Sequence, residues 1–132
     1  MLRMSLEQLA RQADTIVLGT VTRQVSDWDA QHTAIYTDVT LAVEHVVAGA
    51  PDAEVTFRIA GGIVGAIGMR TSNDPVFQEG ERVIVFLDTT RFPASVVGLS
   101  QGKYPIRDGT VTWGEQTLAV DAFIDAIHAA RR

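Results

Sequence analysis

Three stretches of the chain carry residues whose types and spacing bear on chemistry. The first runs Ala60-Gly61-Gly62-Ile63-Val64-Gly65-Ala66-Ile67-Gly68-Met69, directly after a segment of alternating polarity. Glycine loops after strands cradle phosphates when a helix follows, because backbone N–H groups and the helix dipole then face the anion. Here the spacing is G-G-x-x-G-x-x-G, Met69-Arg70-Thr71-Ser72-Asn73-Asp74-Pro75 is not a helix signal, and no lysine stands where a Walker loop needs one. The stretch reads as a strand break and flap rather than a phosphate cradle. Gly61 and Gly62 then either bend the strand, with Ile63, Val64 and Ile67 tucked against the fold, or they launch an exposed apolar loop that binds a partner.

The second stretch, Gly98-Leu99-Ser100-Gln101-Gly102, matches the G-x-S-x-G nucleophile elbow, and Asp121, Asp125 and His128 follow in hydrolase order. An elbow works because a helix begins straight after the serine, above a parallel sheet. Lys103-Tyr104-Pro105 follows instead, and Pro105 blocks a helix interior. A hydrolase using Ser100 with His128 is therefore only the third of the functional readings. The third stretch, Asp27-Trp28-Asp29-Ala30-Gln31-His32, groups hard ligands in one loop, but the calcium-loop pattern around it is incomplete. It reads as a solvated polar turn. His45 reads as a residue that packs or bonds a backbone carbonyl. Asp38, Asp74 and Glu81 are carboxylates without a marked partner, and Trp28 and Trp113 are either stacking platforms or half-buried anchors. No residue is assigned to catalysis, a metal or a cofactor.

The elements that must position these residues follow from periodicity. Ser5-Leu6-Glu7-Gln8 is a capping box, and Leu6, Leu9, Ala10 and Ala13 share one helical face. From Thr15 to Val25 β-branched residues alternate. Ile35, Thr37, Val39, Leu41 and Val43 then face one way along a strand of about 13 residues, roughly 40 Å, a length that demands coiling or a bulge. Val55, Phe57 and Ile59 alternate into the glycines. Val83-Ile84-Val85-Phe86-Leu87 is apolar on both faces, as in a doubly covered central strand. Val96–Leu99 and Tyr104–Ile106 read as short strands, Asp108-Gly109 as a tight hairpin, and Val120, Phe123, Ile124 and Ile127 as one face of a closing helix over 120–129.

Composition narrows the class. The 132 residues fit a single domain, 1–132, and 46% hydrophobic content supports a folded core. A net charge of −5 argues against a nucleic-acid partner. With no cysteine there is no disulfide, thiol catalysis or cysteine-bound zinc. No apolar run approaches the roughly 18 residues of a membrane span. The start, Met1–Ser5, lacks the apolar segment of a signal peptide, so the expectation is either a cytoplasmic protein or a leader already removed.

Three segments taken together are familiar: "SLEQLARQADTIVLGTVT" (Ser5–Thr22), "GGIVGAIG" with "PVFQEGERVIVFL" (Gly61–Leu87), and "VVGLSQGKYPI" (Val96–Ile106). They resemble an uncharacterised group of bacterial exported domains patterned AD-x-I-V-x-G-x-V, GG, P-x-F-x-x-G-E-x-V-x-x-F-L, QGK. More distantly, the opening followed by a long strand and a glycine turn is similar to netrin-like domains, which include the tissue inhibitors of metalloproteinases and use an OB-type barrel. Inhibition in that family depends on an N-terminal cysteine and disulfides, and this chain has none. The resemblance implies a barrel, an extracytoplasmic or cell-envelope location, and structural turns at GG and GER. It names no catalytic residue.

The expected fold is mainly β, a small OB-like antiparallel β-barrel with a short N-terminal helix and a C-terminal helix. The expected function is a non-catalytic extracytoplasmic binding module for a protein or glycan. Gly61, Gly62, Ile63, Val64, Ile67 and Trp28 are its partner-binding residues, and it needs no cofactor. A protease-inhibitor-like domain inserting loop 61–69 is the second reading. An exposed barrel edge would be able to pair two chains, but the sequence leaves the oligomeric state open.

Overall fold

The capping box forms as its spacing predicts, with Ser5 Oγ accepting the Gln8 N–H at 3.1 Å and Gln8 Oε1 accepting the Ser5 N–H at 2.8 Å. It starts α1 (Leu6–Gln12), too short to persist alone and held by burial of Leu6, Leu9 and Ala10. The computed structural model describes residues 3–70 and 73–132. Residues 1–2, part of the stretch read for targeting, and 71–72, part of the polar run after the glycines, lie outside the described residues.

Two long strands follow, β1 (Thr15–Trp28) and β2 (Ile35–Ala48), each of 14 residues and paired antiparallel. Their register shifts beside Ile16, Leu18 and Val21, which supplies the coiling that such length requires. β3 (Glu54–Ala60) pairs with β2; β4 (Gly62–Val64) and β5 (Ile67–Met69) form a separate hairpin. The chain then returns to the far side of β1 as β6 (Arg82–Asp88), which pairs with Thr15–Thr20. β7 (Ser95–Val96) and β8 (Lys103–Pro105) both pair with β6. The order β3-β2-β1-β6 is a Greek key: a three-strand meander with the fourth strand laid beside the first. Among the described residues no ladder joins β3 to β7. Their ends meet through one backbone bond, Arg58 N–H to Ala94 C=O at 2.8 Å, so the sheet curls into a partly open barrel.

The alternation of β1 and β6 feeds two apolar layers. Val17, Val21, Val83, Val85 and Leu87 face inward with Val39, Leu41, Phe57 and Phe77. Ile16, Leu18, Ile84 and Phe86 face outward beneath α1 and the C-terminal helix α2 (Val120–Arg131), which contributes Phe123, Ile124 and Ile127. Each such side chain, fully buried, contributes about 1.5–3 kcal/mol. The helices also terminate one another: Arg131 donates to the carbonyls of Ala10 and Ala13, and Arg11 to those of Ala130 and Arg132.

One expectation changes and one is extended. The strand read over Val96–Leu99 stops at Val96, because Gly98 and Leu99 turn to φ 71° and 55° and open a 3₁₀ helix over Leu99–Gly102. The Asp108-Gly109 turn does form, closed by the reciprocal bonds of Arg107 and Thr110. Its strand then continues into a second hairpin, β9 (Thr110–Trp113) with β10 (Gln116–Ala119), whose apolar content was too thin to read. No helix among the described residues is long and apolar enough to cross a membrane.

Candidate functional site

The candidate site lies at the end of the barrel where β1 finishes, β2 begins and β3 gives way to the glycines. Thr37 is a polar residue on the inward face of β2, between Ile35 and Val39. It is 4% exposed, so its hydroxyl needs partners. It donates to the Gly61 carbonyl at 2.8 Å, which makes it the acceptor for Ser26 Oγ at 2.7 Å. This hydroxyl chain pins the glycine turn to both long strands. Gly61 and Gly62 have φ of 88° and 142°, and a Cβ on Gly62 would lie 2.6 Å from Ser26 Oγ. Both the backbone conformation and the close approach therefore exclude other side chains.

Beyond that pin, β4 and β5 project as a flap with Gly65 at its tip, where an added Cβ would meet nothing within 4 Å. Ile63 is 70% exposed, Ile67 50% and Met69 37%. Here the tucked reading is corrected for Ile63 and Ile67, while Val64 is half-buried. β4 and β5 pair only with each other among the described residues, and the hydroxyl chain holds only the base of the flap, so Ile63 and Ile67 are left to solvent.

Between flap and barrel opens a cavity of about 440 Å³. One wall is Ile59, Gly61, Gly62, Ile63 and Met69; the other is Pro75, Val76 and Phe77; Gln24, Ser26 and Thr37 form the polar floor, and Arg70 and Asp74 complete the lining. Neither Arg70 nor Asp74 belongs to an ion pair among the described residues. The second wall is held from behind. Phe77 is 3% exposed and packs edge-on against Phe57, with ring centroids 5.2 Å apart. Gln24 Nε2 donates to the Phe77 carbonyl at 2.8 Å, and Lys103 Nζ donates to the Val76 carbonyl. Lys103 also pairs with Glu81 at 2.9 Å and lies 4.6 Å from the centre of the Phe77 ring. The lone lysine and the GER turn thus meet as one brace behind the cavity.

Of the residues expected to bind a partner, Gly61, Gly62 and Ile63 line the cavity, while Val64 and Ile67 stand on the flap beyond it. Trp28 is not part of the lining; it is stacked on His32, with centroids 4.0 Å apart. Asp29 in the same loop accepts from the Thr33 N–H and hydroxyl, which lower its carboxyl below the usual value. Gln24, Ser26, Thr37, Arg70 and Phe77 were not marked in the sequence. Thr37 carried the one usable signal, a hydroxyl on an inward-facing strand position.

The elbow-like serine sits elsewhere. Ser100 lies in the 3₁₀ turn, and its N–H donates to the Asn73 carbonyl at 2.9 Å. Ser100 lines a second cavity of about 460 Å³ together with Gln101, Tyr104 and Trp113, and no histidine belongs to that lining. His128 Nε2 lies 3.1 Å from the Val47 carbonyl. His45 is exposed on β2. No family model matches the chain, and no curated protein matches it.

Proposed function

We propose that the protein is a non-catalytic binding module that holds a partner at the open end of its barrel, with the flap as the gripping element. The observation that carries this reading is an exposed apolar hairpin standing over a 440 Å³ cavity. Pockets of this size with apolar walls and a few fixed polar groups suit one or two side chains of a partner. Arg70 and Asp74 at the lining can pair with charges on either side of an inserted segment. The chain's similarity to exported bacterial domains supports an extracytoplasmic setting, and a protein or glycan found there is the matching partner class. The OB-like, netrin-like resemblance rests on the sequence patterns and agrees with a Greek-key strand order. Projection of the Gly65 tip into open space favours insertion of loop 61–69 into an enzyme cleft as the second reading.

The test is affinity capture from the source organism's envelope fraction with wild type and with Ile63→Ser/Ile67→Ser as paired baits. A partner held by wild type should be lost from the variant, whose melting temperature should stay within a degree or two because both side chains already face solvent. Equal capture by both baits would remove the flap from the binding surface.

A further inference from the structure

β6 covers the outer edge of β1 only as far as Thr20, and Val21 closes that contact through its bonds to Gly80 and Glu81. From Thr22 to Trp28 no strand among the described residues pairs with that edge. Which backbone groups point outward follows from alternation. Asp29 donates to the Ala34 carbonyl across the β1–β2 hairpin, so Asp27, Val25 and Arg23 also turn their N–H and C=O toward β2. Gln24, Ser26 and Trp28 turn theirs to the open edge, and the Trp28 N–H is met there by its neighbour's carboxylate, Asp27 Oδ1, at 2.7 Å.

The side chains on the solvent face of this segment are Arg23, Val25 and Asp27, all exposed, with Val25 at 53%. Arg23 joins no ion pair among the described residues. The three are symmetric about Val25: a cation two residues before it, an anion two residues after.

We infer that two copies of the chain pair antiparallel through this edge, with a two-fold axis at Val25. That register sets Gln24 opposite Ser26 twice, so the outward-facing groups of one copy meet those of the other. It sets Val25 against Val25 and Arg23 against Asp27 twice, in the closer, non-hydrogen-bonded pairs where cross-strand side chains interact most. A register shifted by one residue joins outward to inward groups and is forbidden. Centring on Ser26 places Val25 against Asp27, and centring on Asp27 opposes two carboxylates. Only one register satisfies backbone, apolar and charge matching together, and it is isologous, so the assembly closes at two. The cavity is left open, because Gln24 and Ser26 reach it from the other face of the strand.

The contact is short, so the dimer belongs among weak associations and should be populated at roughly 0.1 mM chain and above. Sedimentation equilibrium reads it. Arg23→Asp and Asp27→Arg each place like charges opposite one another twice and should each weaken association by about tenfold or more. Combining them restores opposite charges and should recover the wild-type constant to within roughly threefold. Val25→Lys should abolish pairing and serves as an independent variant, with far-UV circular dichroism confirming that each chain is folded. A wild type that stays monomeric to roughly 1 mM, single variants that associate as wild type, or a double variant as weak as the singles would each overturn the inference.

Discussion

The two halves of β1 share one partner, β2, and differ in everything else. Thr15–Val21 lies between β2 and β6, with the barrel interior on one face and the helices on the other, and six of its seven residues are buried. Among the described residues the only strand that pairs with Thr22–Trp28 is β2, and none of its residues is fully buried. The change falls at the register shift between Val21 and Arg23. One half is thus a scaffold fixed from four sides. The other, carried forward by that rigidity, presents polar side chains to a cavity on one face and a self-complementary charge pattern on the other. Functional groups held at the free end of a well-packed element keep their geometry without needing a core of their own.

Substitutions that act on one half and not the other sharpen this contrast. The largest effect is expected at the covered half. Phe86 faces Ile16 in the β1–β6 ladder and is 0% exposed. Phe86→Ala should cost about 3–5 kcal/mol in denaturant unfolding. A loss under about 1 kcal/mol would mean that the helices cover this layer loosely.

Gly62→Ala comes next, at the open end. The new methyl meets Ser26 and Thr37 in a backbone conformation unsuited to alanine, so a cost of about 1–3 kcal/mol is expected. The same variant should lose partner capture, since the flap must leave its hydroxyl anchor. Retained stability and retained capture together would show that the glycine turn tolerates rearrangement.

The smallest effect is electrostatic and sits beside the covered half. Burial pushes the Asp14 carboxyl up, but hydrogen bonds from the Thr89 hydroxyl and N–H, together with smaller ones, outweigh it and leave the pKa lowered. A lowered carboxylate contributes stability that is present in full above its ordinary value of 3.8 and is lost as pH falls through the lowered one. The melting temperature should therefore drop in that acid window, and Thr89→Val should shrink the drop. Asp14 is largely solvated, so a difference of a few tenths of a kcal/mol is the expected scale. An identical acid profile for Thr89→Val would remove the hydroxyl from this linkage.

Much of the architecture was legible from local physics. A capping box forms within four residues, strand alternation needs only the two-residue period of the backbone, and Val83–Leu87 announced its double coverage by having no polar face. The flap's glycines were legible as a break in the chain, though not the exposure of Ile63 and Ile67, which depends on how the rest of the chain packs around them. The cavity was beyond reach, because Gln24 and Thr37 come from two strands and Gly61 and Phe77 from two connecting segments, and they meet only once the barrel curls. The edge at Arg23–Asp27 lay between these cases. Its charges and its valine were always in view, but alternation alone does not say which side of a strand remains unpaired. That depends on where β6 stops, a consequence of long-range packing that no local pattern encodes.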